Sequence, residues 1–215
     1  MIRAAEHSRP QLRRLLRQAR NQLGPMQQRA AARALYRNLA QHPLFRRARH
    51  IGLYLAEDGE IDPRLLLEEA QRRGKAVYLP VLHAWPRTRM DFQRLLPGER
   101  LQRNRFGIPE PRANRAQQRA PWALDLILMP LVGFDEEGGR LGMGGGFYDR
   151  SLGYLRRRTV WSSPALLGLA HECQKVDHLS LAAWDVRMRA TVTDRRCYDE
   201  SVTSRPRPGE NATAG

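Results

Sequence analysis

The stretch IGLYLAEDGEIDPRLLLEEAQRRGKAVYLPV, residues 51–81, decides the fold. Its opening run, Ile51 to Leu55, is apolar and is followed by polar Glu57-Asp-Gly-Glu60, so it reads as a buried strand. Asp62-Pro63 then opens a helix, because a carboxylate at the cap accepts from free first-turn amides and the fixed φ of proline suits that position. The helix is predicted to run to about Arg73, where Gly74 stops it, and Ala76-Val-Tyr-Leu-Pro-Val81 forms the next strand. A strand, a capped helix and a strand in so short a span make a βαβ unit.

The same rhythm continues outward. Leu124 to Met129 is a near-continuous apolar run, as expected of a parallel strand covered on both faces. Leu166 to Ala170 is a further central strand, Met90 to Phe92 a short one, and Met188 to Val192 the last. Phe147 to about Arg157 is predicted as a helix. On the N-terminal side, apolar residues at helical spacing predict helices over Gln11–Leu23 and Gln27–Leu39, broken at Gly24-Pro25 and ending before His42-Pro43. The expected fold is a three-layer α/β sandwich with a mostly parallel central sheet and basic N-terminal helices. Residues 1–8 are expected to be a flexible end, 9–200 a single domain, and 201–215, which have almost no apolar side chain, a disordered tail. Functional loops are expected outside the carboxyl ends of the strands.

Composition narrows the partners. The formal charge is +15, and all but two of the 37 basic residues, Lys75 and Lys175, are arginine. Such a field favours anionic ligands without naming one. No run is apolar enough to span a bilayer, and the arginine-rich N-terminus does not read as a secretory signal. Cys173 and Cys197 supply neither a disulfide framework nor metal-ligand spacing, so two reduced thiols in a cytoplasmic protein are expected.

The chemistry centres on Leu141-Gly-Met-Gly-Gly-Gly-Phe-Tyr-Asp-Arg150. Glycines at 142, 144, 145 and 146 let backbone turn tightly or approach a ligand closely, and exposed amides there can cradle phosphate. Gly-Lys-Ser/Thr does not follow, so the loop is no Walker A motif; nor does its distance from the preceding strand suit a dinucleotide fingerprint. A structural turn and an anion-binding loop both remain open. Arg140 offers a fork of donors for phosphate oxygens. Asp149 is either a helix-capping carboxylate or a Mg²⁺ ligand, and Arg150 either a phosphate contact or a surface residue.

Arg9, Arg13 and Arg17 stand four residues apart on one helical face, where mutual repulsion calls for an anion such as a triphosphate, or for solvent. Glu57, Asp58 and Glu60 follow the first strand, where a carboxylate can accept from ring N–H groups. Tyr54, Tyr78, Trp85 and Phe92 are candidates for packing such a ring, or are core. Glu110, between two prolines, is a ligand contact or a turn residue. His171-Glu-Cys173 lacks the spacing of a metal site. Asp185 is a second candidate for organising a cation.

These residues, in order, resemble the 5-formyltetrahydrofolate cyclo-ligase family. The resemblance is densest over Pro130–Arg150, with further matches at Tyr54–Asp62, Gly74–Val81, Gly107–Pro111, Gly168–Gln174 and Trp184-Asp185. It implies an α/β domain related to the sugar-phosphate isomerase and CoA-transferase group. The implied reaction converts 5-formyltetrahydrofolate and ATP, with Mg²⁺, to 5,10-methenyltetrahydrofolate, ADP and phosphate through an imidate phosphate. It also implies roles for particular residues. Arg140 and Tyr148 would be catalytic, and Tyr54, Glu60, Glu110 and Tyr148 would bind the folate, with or without a polyglutamate tail. Arg9, Arg13, Gly142, Met143, Gly144, Gly145, Gly146, Phe147 and Tyr148 would bind the nucleotide, and Asp149 and Asp185 the metal. Arg9 stands where the family often has lysine, and Met143 where some members are basic. A monomer without specific nucleic-acid or membrane partners is expected. The rivals are a phosphosugar isomerase or CoA-transferase-like enzyme, which would turn over without ATP, and a basic nucleic-acid-binding module.

Overall fold

The computed structural model describes residues 2–82, 90–103, 107, 109–157, 164–180, 186 and 188–199. Among these residues, five α-helices follow in chain order: α1 (Arg9–Asn21), α2 (Pro25–Leu39), α3 (Pro43–Arg47), α4 (Arg64–Arg72) and α5 (Phe147–Ser151). The strands are β1 (His50–Gly52), β2 (Ala76–Leu82), β3 (Met90–Leu95), β4 (Gln102–Arg103), β5 (Pro109–Glu110), β6 (Gln118–Arg119), β7 (Leu126–Pro130), β8 (Gly133–Phe134), β9 (Arg140–Leu141), β10 (Ala165–Leu169), β11 (Ala190–Val192) and β12 (Cys197–Asp199).

Eight of them form one sheet in the order β12-β11-β10-β7-β1-β2-β3-β6. The central five pair in parallel, while β3, β6 and β12 are antiparallel. Side chains alternate across a strand, so β7 sends Leu126 and Leu128 to one face and Ile127 and Met129 to the other. The first face buries the apolar sides of α2, α3 and α4, including Leu35, Leu39, Phe45 and Leu66. The second packs against Leu152, with Tyr148, Tyr154 and Leu155, from α5 and the 3₁₀ turn after it. An apolar run with no polar alternation therefore buries both faces, which makes this a three-layer α/β domain.

The connections differ from expectation in four places. Met188–Val192 is not the last strand, because Cys197–Asp199 returns antiparallel beside it. His42-Pro43 starts a helix as well as ending one, since His42 Nδ1 accepts from the Leu44 amide (3.3 Å) and proline occupies the first turn. The Phe147–Arg157 helix is α-helical only to Ser151 and continues as a 3₁₀ turn over Gly153–Arg157. Residues 2–8 are tied down rather than loose. Ile2 bridges to Val176, Ala4 is buried, and its amide donates to Asp177 Oδ1 (2.8 Å). The disordered tail expected at 201–215, and Trp85, Trp184 and Asp185, lie outside the described residues.

The chain leaves β1 toward β2 on one side, through α4, while β7 lies on the other side of β1. In an open parallel sheet this reversal opens a crevice beyond the carboxyl ends of the two strands. The loop leaving β1 carries Glu57–Glu60, and the segment leaving β7 leads through the β8–β9 hairpin to the glycine loop.

Candidate functional site

Two loops and one helix build this crevice. α1 begins with a Ser8–Gln11 capping box and Pro10 in its first turn. It buries Leu12 and Leu16 against Val132, Leu141 and Val176. The same face carries Arg20, whose side chain has no exposed surface. A buried guanidinium must find acceptors. Arg20 Nε donates to the Asp58 carbonyl (2.8 Å) and Nη2 to Asp58 Oδ2 (3.0 Å). Arg17 Nε reaches the same oxygen (2.7 Å), and Asn21 Nδ2 reaches Oδ1 (3.0 Å). Against the opposing pull of burial, these donors hold the Asp58 carboxyl below its ordinary range.

The anionic partner of the arginine stripe is therefore divided. Arg17 is engaged by Asp58, whereas Arg13 Nε donates to the Gly142 carbonyl (2.8 Å) at the start of the glycine loop. Gly144 stands so close to that guanidinium that a Cβ there would lie 3.4 Å from Arg13 Cζ. Arg9 is exposed at the first turn of the helix.

The glycine loop follows the β8–β9 hairpin, which has its own buried support. Asp135, only 1% exposed, accepts from the amides of Glu137 (3.0 Å), Gly139 (2.6 Å) and Leu179 (2.8 Å). The hairpin delivers Arg140 to the interior, where its Nε donates to the Val186 carbonyl (3.0 Å) and its Nη2 to Asp149. Met143, Gly144 and Gly145 are exposed. Arg150 folds back to donate to the Gly145 carbonyl, and its guanidinium lies 5.5 Å from the Phe147 ring centroid.

Glu60 and Tyr148 come from these two loops, and the Glu60 charge is felt at the Tyr148 phenol. Burial pushes the Glu60 carboxyl up to about 7, opposed by the Glu57 amide (3.2 Å) and Arg20 and reinforced by Asp58 and Glu57. Burial likewise raises the Tyr148 phenol above its ordinary value, with the Glu60 charge adding and Arg140 opposing. Near neutral pH the pair thus offers a carboxyl poised between its two forms and a phenol that keeps its proton.

Tyr54, expected to contact a ligand, has a supporting position instead. It is 4% exposed, packs in the core, and donates its hydroxyl to the Ile61 carbonyl (2.7 Å), bracing the far end of the Glu57–Glu60 turn. Phe92 is fully buried core, and Tyr78 bonds Arg119 Nε (2.8 Å). Glu110 lies on β5, in a two-stranded sheet with β4 packed beside β2, rather than on the loops that carry Glu60 and Tyr148. His171 and Cys173 do not converge on Glu172: the histidine is buried, the cysteine is exposed, and Glu172 accepts from Thr193 Oγ1 (2.7 Å) and Tyr198. No group of three or more potential ligand side chains gathers among the described residues.

Sequence reading missed Arg20, Asn21 and Asp135. A signal for Arg20 exists: it continues the four-residue spacing of Leu12 and Leu16, so it must face the core and be paired there.

Comparison with known proteins gives the family. A model of the 5-formyltetrahydrofolate cyclo-ligase family matches residues 5–194. A 5-formyltetrahydrofolate cyclo-ligase of Haemophilus influenzae is 38% identical over 180 residues, 83% of this chain and 93% of that protein. One from Escherichia coli K12 is 37% identical over 185 residues, 86% of this chain and all of that protein. The solution structure of Aquifex aeolicus 5,10-methenyltetrahydrofolate synthetase superposes with a TM-score of 0.76 at 27% identity, covering 95% of this chain and 99% of that one. With the family model matching most of its length, this chain belongs to the 5-formyltetrahydrofolate cyclo-ligase family.

Proposed function

We propose that the protein converts 5-formyltetrahydrofolate to 5,10-methenyltetrahydrofolate, with ATP cleaved to ADP and phosphate. The observation that carries this reading is the exposed glycine loop held by Arg13, on the same end of the sheet as the Glu60 turn, in a chain of this family.

The crevice suits two anionic substrates. The exposed loop backbone around Gly144, with the Arg13 guanidinium against it, fits the phosphates of a nucleotide. Arg140, oriented by Val186 and Asp149, holds a cation at the loop's flank where negative charge would grow during phosphoryl transfer. Mg²⁺ bound mainly through phosphate oxygens and water needs few protein ligands, and Asp149, at the loop's flank, would be the carboxylate to hold it. When bound, the ion would neutralise charge on the phosphates.

On the folate side, Glu60 accepts N–H groups of the pterin ring and Tyr148 donates from a phenol that stays protonated. The formyl oxygen takes the γ-phosphoryl group, forming an imidate phosphate. N10 then attacks the activated carbon and gives up its proton, the ring closes, and phosphate departs. Phosphorylation turns the formyl oxygen into a leaving group, so no nucleophilic side chain is required. The same reading relates the doubly covered, mostly parallel sheet to the sugar-phosphate isomerase and CoA-transferase group, and takes the enzyme as a cytoplasmic monomer.

The test incubates the purified chain with 5-formyltetrahydrofolate, ATP and Mg²⁺ and follows methenyltetrahydrofolate by absorbance, with ADP measured in parallel. ATP-dependent formation of both is expected. No methenyl product in reducing, folate-stable buffer overturns the reading.

A further inference from the structure

The turn that precedes Glu60 is held far more firmly than an exposed loop needs. Asp58 has φ +49°, in the left-handed region that non-glycine residues seldom occupy, and Gly59 follows at φ +74°. Such a backbone persists only where its surroundings over-determine it. Here four side chains do so. Arg17, Arg20 and Asn21 converge on the Asp58 carboxylate, and Gln28 Nε2 donates to the Gly59 carbonyl (3.3 Å). There is no spare room either: a Cβ on Gly59 would stand 2.0 Å from Asn21 Oδ1. The next residue is Glu60.

Anchoring α1 to the body of the protein does not account for this. The apolar side of α1 already buries Leu12 and Leu16, and Arg20 also bonds the Asp58 carbonyl. The additional contacts, and the strain, fall on the turn itself and fix the direction in which the chain enters Glu60.

We propose that Asp58 is a positioning residue for Glu60. Clasped by Arg17, Arg20 and Asn21, it holds the turn so that the Glu60 carboxyl is presented to the folate side of the site. It thereby governs affinity for the folate substrate and leaves the nucleotide half of the site unaffected. The proposal rests on the cyclo-ligase reading.

The test is steady-state kinetics on the full chain with each substrate varied in turn, for Asp58→Asn, Asn21→Ala, Gly59→Ala and the Gly59→Ala/Asn21→Ala double variant. Asp58→Asn and Gly59→Ala should each raise KM for 5-formyltetrahydrofolate by about tenfold or more, with KM for ATP within about twofold of wild type. Asn21→Ala alone, which removes one donor, should raise the folate KM by about threefold. Because Asn21 Oδ1 is the atom that a Gly59 side chain would strike, the double variant should recover part of the folate KM lost in Gly59→Ala. A purely architectural clasp would lower thermal stability and move both KM values together, or neither, and would show no such recovery. Either pattern overturns the proposal while leaving the activity itself intact. If Asp58→Asn does not fold, Asn21→Ala decides, and an unchanged folate KM there overturns it equally. A wild-type chain that forms no methenyl product instead overturns the cyclo-ligase reading, and the positioning role with it.

Discussion

Arg140 and Asp149 form an ion pair at the flank of the glycine loop, the arginine Nη2 donating to Asp149 Oδ1 while its Nε holds the Val186 carbonyl at 3.0 Å. One guanidinium thus joins the hairpin that precedes the loop to the short helix that follows it and to the segment at Val186. The arginine side chain is 4% exposed and the aspartate side chain 24%, so neither charge is well solvated alone.

Removing either partner leaves the other charge uncompensated. Arg140→Ala should cost roughly 3 kcal/mol of unfolding free energy and about a hundredfold or more in turnover. Arg140→Lys should recover little, because an ammonium cannot serve both acceptors in the same plane. Urea denaturation beside the coupled assay checks both parts, and wild-type kinetics in Arg140→Ala would refute its role.

Asp149→Asn keeps the shape of the side chain but removes its charge. The Mg²⁺ concentration giving half-maximal turnover should rise by about tenfold. A Mg²⁺ titration at saturating ATP and folate reads this directly, and an unchanged midpoint would remove Asp149 from the metal site.

Glu60 carries the pH dependence. The fold raises its carboxyl from 4.5 to about 7, so between these values the native protein keeps a proton that the unfolded chain releases. Its contribution is complete below pH 4.5, declines as pH rises, and is lost above about 7. Relative to Glu60→Gln, wild type should therefore lose roughly 2 kcal/mol of stability across that window, allowing for the partial exposure of the group. Affinity for folate should follow the opposite course and improve as the accepting carboxylate forms, with a midpoint near pH 7 that Glu60→Gln abolishes.

Two loop substitutions separate backbone from charge. Gly144 sits at φ +97°, and Gly144→Ala would bring a Cβ to within 3.4 Å of Arg13 Cζ. It should raise KM for ATP by about tenfold while leaving KM for folate within about twofold. Met143 is 53% exposed on the same loop. Met143→Arg should lower KM for ATP by about threefold at low salt, with the gain shrinking as ionic strength rises. No salt dependence, or no gain, would place residue 143 away from the phosphates.

The parts legible in the sequence are those written in apolar periodicity. Leu124–Met129 and Leu166–Ala170 have to be buried on both faces, and Asp62-Pro63 and Gly74 punctuate the βαβ unit on their own. β12 is harder to read because Cys197-Tyr-Asp199 is a half-buried edge whose partner supplies the order. The spacing of Arg20 from Leu12 and Leu16 marks it for the core, but nothing in the sequence marks Asp58 as its partner, since their pairing depends on where α1 lies against the turn. Tyr148 and Glu60 each stand out in their own motif, but that their two loops leave the same end of the sheet depends on β1 and β7 being parallel neighbours.

α1 touches both halves of the crevice, through Arg13 at the glycine loop and Arg20 at the Asp58 turn. These two side chains are about 10 Å apart along the axis of one continuous helix. The helical pitch therefore acts as a ruler between the two loops. Inserting or deleting a single residue between Arg13 and Arg20 would turn one of them by about 100°, carrying Arg20 out of the core or Arg13 off the loop. Length changes before Arg9 leave that spacing intact, so the segment between the two arginines is the part of the N-terminal region whose length cannot drift.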